Sequence, residues 1–266
     1  MASHSSDHTS ADSWREHLLC RRYAAVHLSS VGVEALDGGT SSESIVVWAV
    51  GLTEGYQSEV LGAWMADASS RWGPVLDDLV LRGVERIGLA VVKAGAHLHE
   101  SLHSRFPGAV VLPSFGELLN RSLQLIPSRH QEAMSVRLGM VPQAETHVEA
   151  LSRLQAVEHG LRCASQGELF SEWHYAMEGG RQLWSLRPAL RREVLSGDGT
   201  VAAISRTLRR SVARHGSFSD QESALAFVRQ AVDRALRRRA LRSDEAVTEH
   251  NHHRVGFSPR MTALGV

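Results

Sequence analysis

The chain has 266 residues, and its 29 Lys and Arg balance 29 Asp and Glu, so the formal net charge is zero. That balance excludes a histone-like, highly basic polynucleotide binder and an acidic disordered tail, while leaving room for local basic patches. With 43% hydrophobic and 22% charged residues, the composition is that of a globular protein, long enough for one large domain or two small ones.

From the N-terminus, Met1 to Ser13 is rich in Ser, His and Asp and has no apolar run, so it reads as neither leader nor membrane anchor. Residues 1–20 are expected to form a loosely packed arm. Tyr23–Ala35 mixes Val, Ala and Leu as a strand does and ends at the turn signal Asp37-Gly38-Gly39. Ser44–Thr53 and Ser58–Met65 follow as two more strands, separated by Glu54-Gly55, and the three read as an antiparallel meander. Ser69–Val84 carries Trp72, Val75, Leu76, Leu79 and Leu81 at near-helical spacing and closes at Gly83. Ile87–Val92 is a continuous apolar run, as a strand covered on both faces requires. A short helix over His97–Arg105 and a short strand over Ala109–Leu112 complete a β-β-β-α-β-α-β order, which predicts an α/β mixed sheet with helices packed on it. Residues 21–115 are therefore taken as the first part of the core.

From Gly116 to Arg192 the pattern turns helical, broken at Pro127, Pro142 and Gly179-Gly180, so residues 116–195 read as a helical insertion. Residues 196–242 read as C-terminal helices of the core. The first, Val201–Arg214, carries Arg206, Arg209, Arg210 and Arg214. After the turn Gly216-Ser217, the capping signal Ser219-Asp220 with Glu222 opens a helix over Glu222–Arg239, which bears Arg234, Arg237, Arg238 and Arg239. Residues 243–266 are expected to be a flexible tail. His250, His252 and His253 there resemble a metal-binding tract, but a mobile surface tail is the preferred reading. The two cysteines, Cys20 and Cys163, are too few for a disulfide framework and read as reduced thiols. No segment approaches the ~20 apolar residues of a spanning helix, so the expected setting is cytoplasmic, with no membrane partner.

The β-β-β-α-β-α-β order with a helical interruption is the layout of RNase H-like nucleotidyl transferases, and particular segments narrow this. Trp14-Arg15-Glu16, AVGLTEGYQSEVLGAWM (Ala49–Met65), Trp72 with LDDLVLRGVERIGLAVV (Leu76–Val92), FPGAVV (Phe106–Val111), RPALRREVL (Arg187–Leu195), ISRTLRR (Ile204–Arg210) and GSFSDQESAL (Gly216–Leu225) occur in that order. Together they resemble the catalytic region of Mutator-type bacterial insertion-sequence transposases. That resemblance implies a metal-dependent DNA transposase in which Asp, Asp and Glu hold two Mg2+ or Mn2+ ions. Acids suit the task because hard cations need anionic oxygen ligands, and paired ions stabilise both oxygens of an in-line phosphoryl displacement.

Carried over position by position, the family's first Asp falls on His27. The second, counted back from Phe106, falls on Lys93, which is the single lysine among 28 arginines. The Glu, counted from Pro188 and from Ile204, falls on Ala202, with Gly199 in place of a nearby Asn. The family's Cys-x-x-His pair falls on Ser114 and Glu117. No catalytic position is intact, so the expectation is a pseudoenzyme without a metal cofactor, unless Glu34, Asp37, Glu117 or Asp198 moves in. Only about twenty residues precede the first strand, where the family carries its main DNA-reading segment, so that segment is expected to be missing.

Three readings follow. The first is a transposase-like protein without catalysis that binds double-stranded DNA through Arg206, Arg209, Arg210, Arg214 and Lys93. It would serve as a repressor or architectural factor, as a homodimer or in association with a transposase. The second is a protein-interaction scaffold with no nucleic-acid role. The third is an active metal-dependent transposase using His27 and neighbouring acids. Among the tryptophans, Trp173 and Trp184 are the candidates for stacking on bases, and the others read as core.

Overall fold

Alternation of small and β-branched residues builds the sheet. The computed structural model describes residues 18–37, 40–66, 72–92, 98–161, 166–195 and 200–255. Its central strand, β1 (Arg22–Asp37), lies between β2 (Thr40–Leu52) and β4 (Arg86–Val92); β3 (Ser58–Ala66) lies outside β2, and β5 (Val110–Pro113) outside β4. The β1–β2 and β2–β3 pairs are antiparallel, whereas β1–β4 and β4–β5 are parallel. Parallel neighbours need crossovers, which α1 (Gly73–Leu81) and α2 (His99–Arg105) supply. The expected α/β mixed sheet is present, with strand ends displaced by up to four residues. The helix expected from Ser69 starts at Gly73 with Pro74 in its first turn; Ser69 to Arg71 and His97 lie outside the described residues.

The helical block comprises α3 (Phe115–Leu125), α4 (Ser128–Met140), α5 (His147–Gly160), α6 (Gln166–Gly179), a 3-10 turn at Arg181–Ser185 and α7 (Pro188–Leu195). Pro127 and Pro142 fall between helices, as their missing amide hydrogens demand. Then come α8 (Thr200–His215), a two-residue strand β6 (Ser217–Phe218) and α9 (Gln221–Val255). The Asp220 carboxylate accepts the Ser223 N–H at 2.7 Å, the cap expected there. Two features depart from the sequence reading. Ser217, read as a turn, instead pairs in parallel with Glu34, and Phe218 with Ala35. The last helix does not stop at Arg239 but runs to Val255, because no Gly or Pro interrupts it before Gly256.

One sheet face packs on α1 and α2: Val26, Leu28, Val47, Ala49, Ala90 and Val92 meet Val75, Leu76, Leu79, Leu98 and Leu102. The other face has two covers. The helical block covers Ala25, Leu52, Leu89, Val91 and Leu112, while α8 and α9 cover Val31, Val33, Ala35, Val46, Trp48 and Val50. Period-two alternation puts Ala25, His27, Ser29, Val31, Val33 and Ala35 on one side of β1. Ala25 belongs to one cover and Val31 to the next, so His27 and Ser29 stand at the seam.

The sheet's first turns are pinned by polar contacts. Tyr23, 2% exposed, donates its hydroxyl to Glu59 at 2.6 Å and accepts the Cys20 N–H at 3.0 Å. Burial, and then the Glu59 carboxylate, push this phenol well above its usual range. Arg82, 6% exposed, donates to the Leu61 carbonyl at 2.5 Å and to Asp78 at 3.3 Å, tying α1 to β3. Because the Tyr23 ring is held at its hydroxyl, it cannot yield to a new neighbour. A Cβ at Gly51 would lie 2.4 Å from that ring and 2.9 Å from Leu61. Gly51→Ala is therefore expected to lower stability by about 1–3 kcal/mol, read as a shift in the denaturant midpoint; a midpoint equal to the wild type would show that the ring has room to move.

Candidate functional site

A cleft of about 440 Å3 opens at the seam between the two covers. Its floor is His27 and Ser29 of β1 with Val91 and Val92 at the end of β4. Parallel pairing sets His27 opposite Val91 and Leu28 opposite Val92, the last partners β4 offers. One wall is the β5–α3 junction, with Ser114, Gly116, Glu117 and Asn120; another is the C-terminal end of α7, with Glu193, Val194 and Leu195. The third wall is α8, which contributes Ala202, Ser205, Arg206 and Arg209. These four recur at i, i+3, i+4 and i+7, a single helix face.

His27 is partly buried, and loss of hydration pushes its imidazole down to about 4, with the Glu193 carboxylate opposing. At neutral pH it is uncharged, able to give or take a hydrogen bond but carrying no cation. Glu117, in the first turn of α3, has one carboxylate oxygen, Oε2, buried without a hydrogen-bond partner among the described residues. Two hard divalent ions would require a cluster of carboxylates. His27 and Ala202, on which the expected first and last acids fall, offer an imidazole and a methyl group, and the carboxylates lining the cleft are Glu117 and Glu193. Among the described residues no three His, Cys, Asp or Glu side chains converge to hold a metal ion. The donors that the described residues bring to this cleft therefore do not fit a two-ion centre.

Of the residues singled out in the sequence, His27, Ala202, Arg206 and Arg209 share the cleft, as do Ser114 and Glu117. Lys93 lies outside the described residues, immediately after Val92, and Asp198 and Gly199 lie outside them as well. Arg210 and Arg214 are exposed on α8 but do not line the cleft, since steps of four along a 3.6-residue helix wind off the face of Ala202. Glu34 sits opposite Glu43 on the exposed side of β1, away from the cleft. Arg237 is engaged with Asp233 at 2.9 Å. Trp173 is not free to stack on a base: it is 1% exposed, and its indole N–H donates to Ser122 at 2.8 Å. Trp184 is partly exposed and donates to the Ala144 carbonyl at 3.1 Å. Glu193, the acid nearest in effect to His27, drew no notice in the sequence; its only signal is its place near the end of the RPALRREVL segment.

A family model described as "Transposase, Mutator family" matches residues 5–236. The chain is 23% identical over 217 residues to a transposase for insertion sequence element ISRM3 from Rhizobium meliloti, a match that covers 81% of this chain and 54% of that protein. It is 24% identical over 214 residues to a probable insertion-sequence transposase from Corynebacterium diphtheriae, covering 80% of this chain and 62% of the relative. The chain thus spans between half and two thirds of the length of these relatives. No helix among the described residues is long and apolar enough to cross a membrane.

Titration of His27 has a measurable consequence. Between pH 6.5 and about 4 the unfolded imidazole takes up a proton that the folded one refuses. The unfolded state then binds more protons, so stability is unaffected above this window and falls as pH drops through it, on the order of 2–3 kcal/mol by its lower end. His27→Asn is expected to flatten that slope in denaturation series taken at successive pH values. An unchanged slope would show that the group titrates as it does in water.

Proposed function

The chain belongs to the Mutator family of transposases, and from that premise we propose that it is an RNase H-like catalytic domain that contacts duplex DNA at the seam cleft and does not carry out metal-dependent strand chemistry. The sheet order β3-β2-β1-β4-β5, with two antiparallel and two parallel pairings, supports the RNase H-like reading. The observation that carries the functional reading is the composition of the cleft. His27 and Ala202, the positions that the resemblance assigns to the first and last acids, line it together with Arg206 and Arg209. An acid-rich cleft repels the DNA backbone until metal ions fill it. Among its described lining residues the acids are Glu117 and Glu193, matched in number by Arg206 and Arg209, whose exposed places on α8 let guanidinium groups meet phosphate with no ion present.

Such a protein acts by occupancy. On DNA it serves as a repressor or architectural factor, alone, as a homodimer, or beside an active transposase. Phosphate contacts release counterions, so affinity for duplex should fall steeply with salt. Arg206→Ala and Arg209→Ala are each expected to reduce the slope of log K against log salt by about 1, measured by fluorescence anisotropy on a labelled duplex. Absence of binding even at low salt would leave a protein-interaction scaffold as the reading. Nicking or strand transfer with Mg2+ or Mn2+, lost in His27→Ala, would identify an active enzyme instead.

A further inference from the structure

Two pairs of like charges stand directly opposite each other in the sheet, one near each end of β1. Where β1 begins, Arg22 is the parallel partner of Arg86; toward its far end, Glu34 is the antiparallel partner of Glu43. All four side chains are exposed, and none has a hydrogen bond or ion pair among the described residues. Like charges in opposed positions repel, so the sheet gains nothing from either pair on its own. Arg21 shows the alternative, since it pairs with Glu85 at 2.6 Å. Each like-charged pair also lies beside exposed apolar surface. At the basic end, Arg22 and Arg86 line a recess with Glu54, Leu186 and Arg187. Arg187 donates to the Glu54 carbonyl and lies 4.6 Å over the ring of Tyr56, which is 40% exposed. Tyr56 has a φ of +66°, in the left-handed region that favours glycine, and such strain collects at sites of function. At the acidic end the sheet runs beyond the cover of α1 and α2. On that side of β1, Gly32, Glu34 and Leu36 are exposed, and a Cβ at Gly32 would stand 3.4 Å from the Glu43 carboxylate.

We propose that these two ends are the halves of one contact between copies of this chain, the Glu34 and Glu43 end of one copy seated on the Arg22 and Arg86 end of another, with Leu36 and Tyr56 covered at the contact. Arg22 and Glu34 lie about 40 Å apart along β1, so the two ends of one chain cannot neutralise each other. A formal net charge of zero leaves no overall repulsion between copies. Guanidinium groups match carboxylates in geometry as well as charge, and exposed Tyr and Arg are the residue types that anchor protein interfaces. A DNA backbone would neutralise the arginines but would repel the glutamates and offer Leu36 nothing; a second copy satisfies all of them. Neither end lines the seam cleft, so the contact stands or falls independently of duplex binding there.

Sedimentation velocity over a concentration series, without DNA, reads the association directly. The wild-type chain should self-associate at low salt, and its affinity for itself should fall by about tenfold or more between about 50 and 500 mM salt, as exposed charge pairs are screened. Glu34→Arg combined with Glu43→Arg should leave a monomer, and so should Arg22→Glu combined with Arg86→Glu. An equimolar mixture of these two doubly substituted chains should associate again, because each then carries an intact end that the other can take. Restoration on mixing also shows that both variants are folded. A wild-type chain that stays monomeric at low salt, doubly substituted chains that associate as the wild type does, or a mixture that remains monomeric would overturn the proposal. Weaker binding of a labelled duplex by the Arg22→Glu and Arg86→Glu chain, with self-association unchanged, would overturn it too and assign the basic end to DNA.

Discussion

The structure depends on one strand having to satisfy two covers. β1 is long enough to be paired with β2 along nearly its whole length, yet its parallel neighbour β4 stops opposite Leu28. Apolar side chains beyond that point still need burial, and α8 and α9 provide it. The helical block buries the earlier part of the same face. Two separate helical layers cannot close on each other without a gap unless their side chains interdigitate, and at His27 and Ser29 they do not. The cleft thus follows from strand length and pairing before any question of chemistry arises.

This also explains why the walls of the cleft come from such distant parts of the chain. At the β5–α3 junction the chain leaves the sheet for the helical block, and the end of α7 and the beginning of α8 belong to the two different covers. Side chains at such passages are constrained by packing on only one side, which leaves polar atoms such as the Glu117 carboxylate oxygen buried without a partner. Side chains at this seam can differ without disturbing the cores, since none of the three hydrophobic clusters includes His27 or Ala202.

Much of this was legible in the sequence, and the reasons are local ones. Alternation in β1 and β2, the turn at Glu54-Gly55 and the prolines between helices report on their own neighbourhoods, so the elements could be read in order. The approach of His27 to Ala202 could be anticipated only through the ordered segments shared with a family, because no spacing rule joins residues so far apart. What escaped was tertiary in origin. β6 has two residues, too few for any period, and exists because Glu34 and Ala35 lack another partner on that side. Trp173 resembles Trp184 in sequence, yet the Ser122 hydroxyl and a close-packed interior claim it.

The small strand β6 has a mechanical side. It fastens the C-terminal end of α8 to β1 just after Gly216, whose φ of +78° gives a tight reversal at that point. The opposite end of the helix, near Ala202, pairs with no strand among the described residues. From the fastened end to Ala202 the helix extends about 20 Å, so a tilt of about 5° at the joint carries the wall at Ala202 by about 2 Å. Ile204, Leu208 and Val212 bury the inner face of α8 in the same core as Phe218, so the width of the cleft is set jointly by this joint and by the packing along the helix.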